Sequence, residues 1–128
     1  MIGRQAAPDI LIVEDEFVIR ETLTEFLEEE GYTVAGAANG QEALSYLRSS
    51  QPPALILLDL MMPVMNGIQF LTEQQRDPSL ALIPVVLLSA DRHSQDKVLC
   101  SGPIEYLEKP VHLTSLLDTV ERYCDPAP

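Results

Sequence analysis

The chain has 128 residues, 46% of them hydrophobic and 22% charged, with a formal net charge of −12. That length suits one domain that buries roughly two-thirds of its unfolded surface, and that hydrophobicity excludes intrinsic disorder. Twenty acids against eight Lys and Arg exclude a nucleic-acid partner for this chain alone, because such affinity rests on cations that neutralise phosphates.

Cys100 and Cys124 lie far apart and form no C-x-x-C pair, so reduced thiols in a cytoplasmic protein are expected, without a zinc site. The opening MIGRQAAPD lacks the apolar core of a secretion signal, and runs such as residues 54–58 are too short to span a bilayer, so no membrane association is expected.

Residues 1–8 carry no periodic pattern and are expected to be flexible, with one domain over residues 9–124. Residues 10–13 are apolar without interruption, as in a strand buried on both faces. Residues 16–30 set Ile19, Leu23, Phe26 and Leu27 on one stripe with acids opposite, an amphipathic helix that Gly31 can end. Residues 32–38 alternate loosely, as a strand nearer a sheet edge would. Asn39 then caps a helix carrying Ala43, Leu44 and Leu47; an Asn-Gly hairpin would need an alternating strand next, and none follows.

Residues 54–58 form a second apolar run, and residues 67–75 a third helix expected to turn Ile68 and Leu71 inward. Residues 85–88 and, more weakly, 104–107 are further buried strands, separated by a short helix expected at 96–101. Leu113, Leu116, Leu117, Val120 and Cys124 give a last helix a 3.6-residue stripe, after which residues 125–128 are expected to be flexible. Five strand–helix units imply a doubly wound parallel sheet of order 2-1-3-4-5 with helices on both faces.

Ligands bind such sheets beyond the carboxyl ends of the strands, where strand order reverses. Here the first strand runs into Glu14, Asp15 and Glu16, and the third into Asp59. The fourth ends on Ser89 and Ala90, and the fifth on Lys109-Pro110. Any one polar residue at a strand end is ordinary, because loops are polar. Together, Glu14, Asp15 and Asp59 should converge at the switch point, where unit charges about 4 Å apart repel by roughly 4 kcal/mol at an effective dielectric near 20. A hard divalent cation relieves that repulsion: Mg²⁺ commonly takes one or two carboxylates and fills its shell with water and phosphate. Lys109 supplies a further positive charge.

Four motifs in order carry a resemblance: Glu14-Asp15; residues 59–67, Asp-Leu-Met-Met-Pro-Val-Met-Asn-Gly; Ser89-Ala90; and Lys109-Pro110. Over residues 10–123 the chain resembles the receiver domains of two-component response regulators, of the single-domain, chemotaxis-regulator-like kind, with a flavodoxin-like fold. The resemblance implies a signalling domain rather than an enzyme, in which Asp59 accepts a phosphoryl group from a phosphohistidine on a sensor histidine kinase or a histidine phosphotransfer protein. It implies Mg²⁺, with Mn²⁺ as a substitute, on Asp15, Asp59 and the backbone carbonyl of Met61, with Glu14 acting through water. Lys109 and Ser89 would contact phosphoryl oxygens, Ala90 would leave access to them, and Lys109-Pro110 would be cis. Ser89 and Tyr106 match the family's switch pair, which reshapes the face made by the helix at 96–101, the fifth strand and the last helix toward a downstream protein target. Such a chain would be a monomer or a weak dimer.

Three positions depart from the family pattern. Glu14 stands for the commoner Asp, Asn66 for Asp before the glycine, and Pro103 for Ala before the fifth strand. Met61 and Asp91 are the variable positions expected to flank the phosphoryl group, and an apolar Met61 cannot orient a water, which implies slow self-dephosphorylation. His93 and His112 read as surface or helix-start residues. The rival readings are a degenerate receiver that binds proteins unphosphorylated, a Mg²⁺-dependent aspartyl phosphatase and an FMN binder. The first is opposed by the presence of Asp59 and Lys109. The second lacks an Asp two residues beyond Asp59, and the third would need a Ser, Thr and Gly-rich loop where Glu14-Asp15-Glu16 would repel a phosphate.

Overall fold

A computed structural model of the chain describes residues 8–62, 64–89 and 104–124. The elements in order are β1 (Ile10–Val13), α1 (Phe17–Glu29), β2 (Val34–Ala37), α2 (Gly40–Ser49), β3 (Leu55–Asp59), α3 (Gly67–Arg76), β4 (Val85–Ser89), β5 (Ile104–Glu108) and α4 (Leu113–Tyr123). The helix expected at 96–101, together with Ala90, Asp91, His93, Cys100 and Pro103, lies outside the described residues.

The five strands form one parallel sheet in the order β2-β1-β3-β4-β5, as the alternation of elements requires. Strand side chains alternate between two apolar layers. Leu11, Val13, Ile56, Leu58, Val85 and Leu87 face α2 and α3, while Ile10, Ile12, Leu55, Leu57, Val86 and Leu88 face α1 and α4. The three central strands are buried on both faces, which is why they read as unbroken apolar runs. β2 lies at one edge and carries the small, half-covered residues that its loose pattern suggested.

Local signals set the helix ends. Gly31 adopts φ 99°, and the N–H groups of Gly31 and Tyr32 donate back to the carbonyls of Glu28 and Leu27, closing α1 as a left-handed glycine stop. Asn39 caps α2 by accepting from the Glu42 N–H at 2.9 Å. Asn66 caps α3 in a reciprocal box with Gln69, with both bonds at 2.9 Å.

Two helical faces differ from expectation. In α3, Ile68 is 39% exposed, and the buried stripe is Gly67, Phe70, Leu71 and Gln74. The stripe begins at Gly67 because that glycine lies against β3: a Cβ there would stand 2.8 Å from the Asp59 carbonyl oxygen and from Leu60 Cα. A residue without a side chain thus marks the contact face, and Ile68 is turned away. Gln74 replaces an apolar residue because its amide donates to the carbonyls of Leu80 and Ile83, fastening the chain before β4. In α4, Leu116, Thr119, Val120 and Cys124 are buried, whereas Leu113 is exposed and Leu117 only partly covered. Thr119 can be buried because its hydroxyl donates to the Ser115 carbonyl.

Gly67→Ala is therefore expected to cost about 1–3 kcal/mol by overpacking, and Ile68→Ala no more than ~1 kcal/mol as a surface change. Urea denaturation measures both, and a costlier Ile68→Ala would place that side chain in the core.

Candidate functional site

The carboxyl ends of β1, β3, β4 and β5 bring most of the predicted residues to one rim. Glu14 follows the last residue of β1, where its N–H still donates to the Ala37 carbonyl at 3.0 Å, and its side chain is fully buried. Asp15, next in line, is exposed. Asp59 is the last residue of β3 and only 3% exposed. One carboxylate oxygen from each of Glu14, Asp15 and Asp59 lies within 4.8 Å of the others. The predicted convergence of the three acids is thus present.

Lys109 follows β5 and is anchored by its N–H, which donates to the Ser89 carbonyl at 2.9 Å. Its peptide bond to Pro110 is cis. Its ammonium donates to Glu14 Oε1 at 2.8 Å and stands 3.4 Å from Asp59 Oδ1. Asp59 Oδ1 also accepts from the Met61 N–H at 3.1 Å, while the Met61 side chain projects into solvent. Ser89 ends β4, buried, one position beyond Leu88, which is the register partner of Asp59. Tyr106 lies opposite Leu87, partly buried against the α2–α3 layer. His112 caps α4 by position but makes no side-chain cap bond.

Among the described residues three carboxylates face one ammonium, which leaves those residues with excess negative charge. Burial pushes the Asp59 carboxyl up to about 7 from 3.8, and a shared hydrogen bond with Glu14 and the charge of Glu14 push in the same direction. The Met61 N–H and Lys109 oppose this only in part. For Lys109, burial works against the charge, but the Glu14 hydrogen bond and the charges of Asp59 and Glu14 outweigh it and hold the ammonium above its ordinary value.

The donor set fits a hard divalent cation: clustered carboxylate oxygens, one of them on an exposed residue that can be reached from solvent. Glu14 is less free than its neighbours, since one oxygen is taken by Lys109 and the other accepts from the Glu16 N–H at 3.3 Å. Asp15 and Asp59 are the better-placed direct ligands.

One contact at the rim had no signal in the sequence. Arg20, three residues into α1, donates from Nη1 to the Glu14 carbonyl at 2.6 Å. It belongs to no motif and no apolar stripe, and the bond depends on how the helix start sits over the sheet.

Comparisons with known proteins agree with this geometry. The family model of the response regulator receiver domain matches residues 10–121. The alkaline phosphatase synthesis transcriptional regulatory protein SphR of Synechococcus elongatus is 41% identical over 114 residues, covering 81% of this chain and 44% of SphR. The chain therefore spans less than half the length of that relative. Protein PilH of Pseudomonas aeruginosa is 34% identical over 113 residues, covering 87% of this chain and 93% of PilH. Among solved structures, the signal receiver domain of a signal transduction histidine kinase from Syntrophus aciditrophicus is 35% identical, with a TM-score of 0.82 over 91% of this chain and 89% of that one. The receiver domain of a Pseudomonas aeruginosa sensor histidine kinase, solved with a magnesium ion coordinated in its active-site cleft, is 28% identical, with a TM-score of 0.82 over 92% of this chain and 98% of that one. The chain belongs to the response regulator receiver family, and it is a receiver domain of two-component signalling. No helix among the described residues is long and apolar enough to cross a membrane.

The shift at Asp59 has a measurable sign. The unfolded chain releases this proton near 3.8 and the metal-free fold near 7, so the fold binds the proton more tightly. Its contribution to stability is fullest below pH 3.8 and is lost as pH rises through 7. In chelator, the wild type is expected to lose about 1 kcal/mol more than Asp59→Asn between about pH 6 and pH 8. Parallel urea titrations at the two pH values measure the difference; equal losses would mean that Asp59 is not strained.

Proposed function

We propose that Asp59 is the phosphoacceptor of a Mg²⁺-dependent receiver in the cytoplasm. The observation that carries this reading is a buried carboxylate at the end of β3, faced by Lys109 and by two further acids. A structural carboxylate in this position would be balanced by its neighbours, whereas among the described residues Asp59 shares one ammonium with two further acids. The magnesium ion in the related Pseudomonas aeruginosa receiver supports the same reading.

Asp15, Asp59 and the Met61 carbonyl would hold the cation, with Glu14 acting from behind as the acceptor for Lys109. Bound there, Mg²⁺ supplies positive charge that keeps Asp59 ionised and neutralises phosphoryl oxygens. The ionised Asp59 oxygen attacks the phosphorus of a phosphohistidine: an O–P bond forms, the P–N bond breaks, and its electron pair returns to the imidazole nitrogen. Phosphoryl transfer demands mainly in-line positioning and charge neutralisation. Lys109 is suited to pair with one transferred oxygen, since its ammonium already reaches Asp59 Oδ1 at 3.4 Å. Ser89, one position along the rim, is suited to donate to another.

The partners follow from the chemistry. A sensor histidine kinase or histidine phosphotransfer protein delivers the phosphoryl group. Ser89 and Tyr106 carry the change to the face that includes β5 and α4, where a downstream protein reads it. Tyr106 is partly buried, packed against the α2–α3 layer, between the core and the surface it would reshape.

Incubation with acetyl phosphate and Mg²⁺, followed by intact-mass measurement, is expected to add the mass of one phosphoryl group to the wild type and none to Asp59→Asn. No gain, or an equal gain in the variant, would overturn the proposal. In the same assay Met61→Asn should shed the group several-fold faster, because an amide beside the phosphoryl group can orient water and the exposed thioether cannot.

A further inference from the structure

Arg20 is the one cation besides Lys109 that the described structure ties to the acid loop, and nothing in the phosphotransfer scheme above uses it. From the start of α1 its side chain turns back over the neighbouring edge strand. Its stem crosses Gly36 of β2, where a Cβ would stand only 3.2 Å from Arg20 Cδ. Its guanidinium carbon lies 5.6 Å from the centre of the Phe17 ring, and Nη1 reaches the Glu14 carbonyl at 2.6 Å. Among the described residues no carboxylate lies within 4.0 Å of it, although three acids cluster one peptide away.

This placement separates two tasks. An arginine paired to Asp15 or Asp59 would fill the site with a permanent positive charge and compete with a cation. Bonded to the Glu14 carbonyl, it fixes the peptide that joins Glu14 to Asp15 and leaves the carboxylates of Asp15 and Asp59 to a cation. Glu14 N–H is already fixed by the Ala37 carbonyl, and the Glu16 N–H holds Glu14 Oε2. The Arg20 bond adds the restraint at the carbonyl, from which the chain continues into the exposed Asp15. Gly36 is the residue that gives the stem its path.

We infer that Arg20 is a positioning residue of the cation site: by holding the Glu14 carbonyl it presents Asp15 to a divalent metal alongside Asp59. The inference rests on the metal-dependent reading of Asp59. Residues of this kind, which orient ligands without touching the metal, typically account for 10- to 100-fold in affinity.

Calorimetric Mg²⁺ titration of the full chain tests it. Arg20→Met keeps the stem and removes the donors, and it is expected to weaken Mg²⁺ binding ~10-fold. The phosphorylation rate with acetyl phosphate should fall at low Mg²⁺ and return to the wild-type value at saturating Mg²⁺, which a general structural defect would not do. Arg20→Lys, which still donates, should recover part of the affinity. Gly36→Val should reproduce the loss with Arg20 intact, because its side chain crowds the stem. An Arg20→Met protein that binds Mg²⁺ like the wild type, or whose rate stays low at saturating Mg²⁺, would overturn the inference. Failure of the wild type itself to bind Mg²⁺ or take up phosphoryl would instead remove the reading of Asp59 on which it stands.

Discussion

The repulsion between the buried carboxylates of Glu14 and Asp59, only partly offset by Lys109, sets what the rest of the structure must do. Burying an unpaired charge is costly, and two adjacent ones more so. The fold tolerates the pair because both groups sit where apolar strands end: β1 and β3 are sealed on each face up to Val13 and Leu58, and the next residue is the acid. Lys109 arrives from the far side of the rim on a β5 backbone held to Ser89, so its ammonium is supplied by an element distant in sequence from both partners.

That arrangement makes the sheet a positioning device. Parallel register fixes Asp59 against Leu88, and so places Ser89 just beyond it. Close packing of Gly67 against the Asp59 carbonyl fixes the backbone from the helical side, and the Met61 N–H fixes one carboxylate oxygen. On the other flank the Glu14 peptide is gripped by Ala37 and by Arg20. Glu14, Asp59 and Lys109 are thus each restrained by named contacts, while Asp15 remains open to solvent. The negative charge left over among the described residues would favour the proposed cation.

Much of this was legible from residue order. Central strands buried on both faces read as unbroken apolar runs, and the rule that ligands bind at the carboxyl ends of parallel strands is enough to bring Glu14, Asp15, Asp59 and Lys109 together from residue order. The rest depends on contacts that periodicity does not disclose. Size and apolarity predict an inward Ile68, yet the face of α3 is set by Gly67, whose lack of a side chain lets the helix approach β3. Gln74 and Thr119 are buried because their polar groups find backbone carbonyls, partners that no periodicity discloses. Lys109 was expected to serve the phosphoryl group, and its direct bond to the fully buried Glu14 adds a second use for it. Arg20 escaped notice because its role depends on the path of a side chain across a neighbouring strand.

Glu14, Asp15 and Asp59 are proposed to form a cation site whose charge Lys109 alone does not balance among the described residues. Calorimetric titration of the wild type and of Asp15→Asn with Mg²⁺ tests it most directly. One saturable site is expected in the wild type, severely weakened in Asp15→Asn. A wild type that binds no Mg²⁺, or an Asp15→Asn variant that binds it equally well, would contradict it.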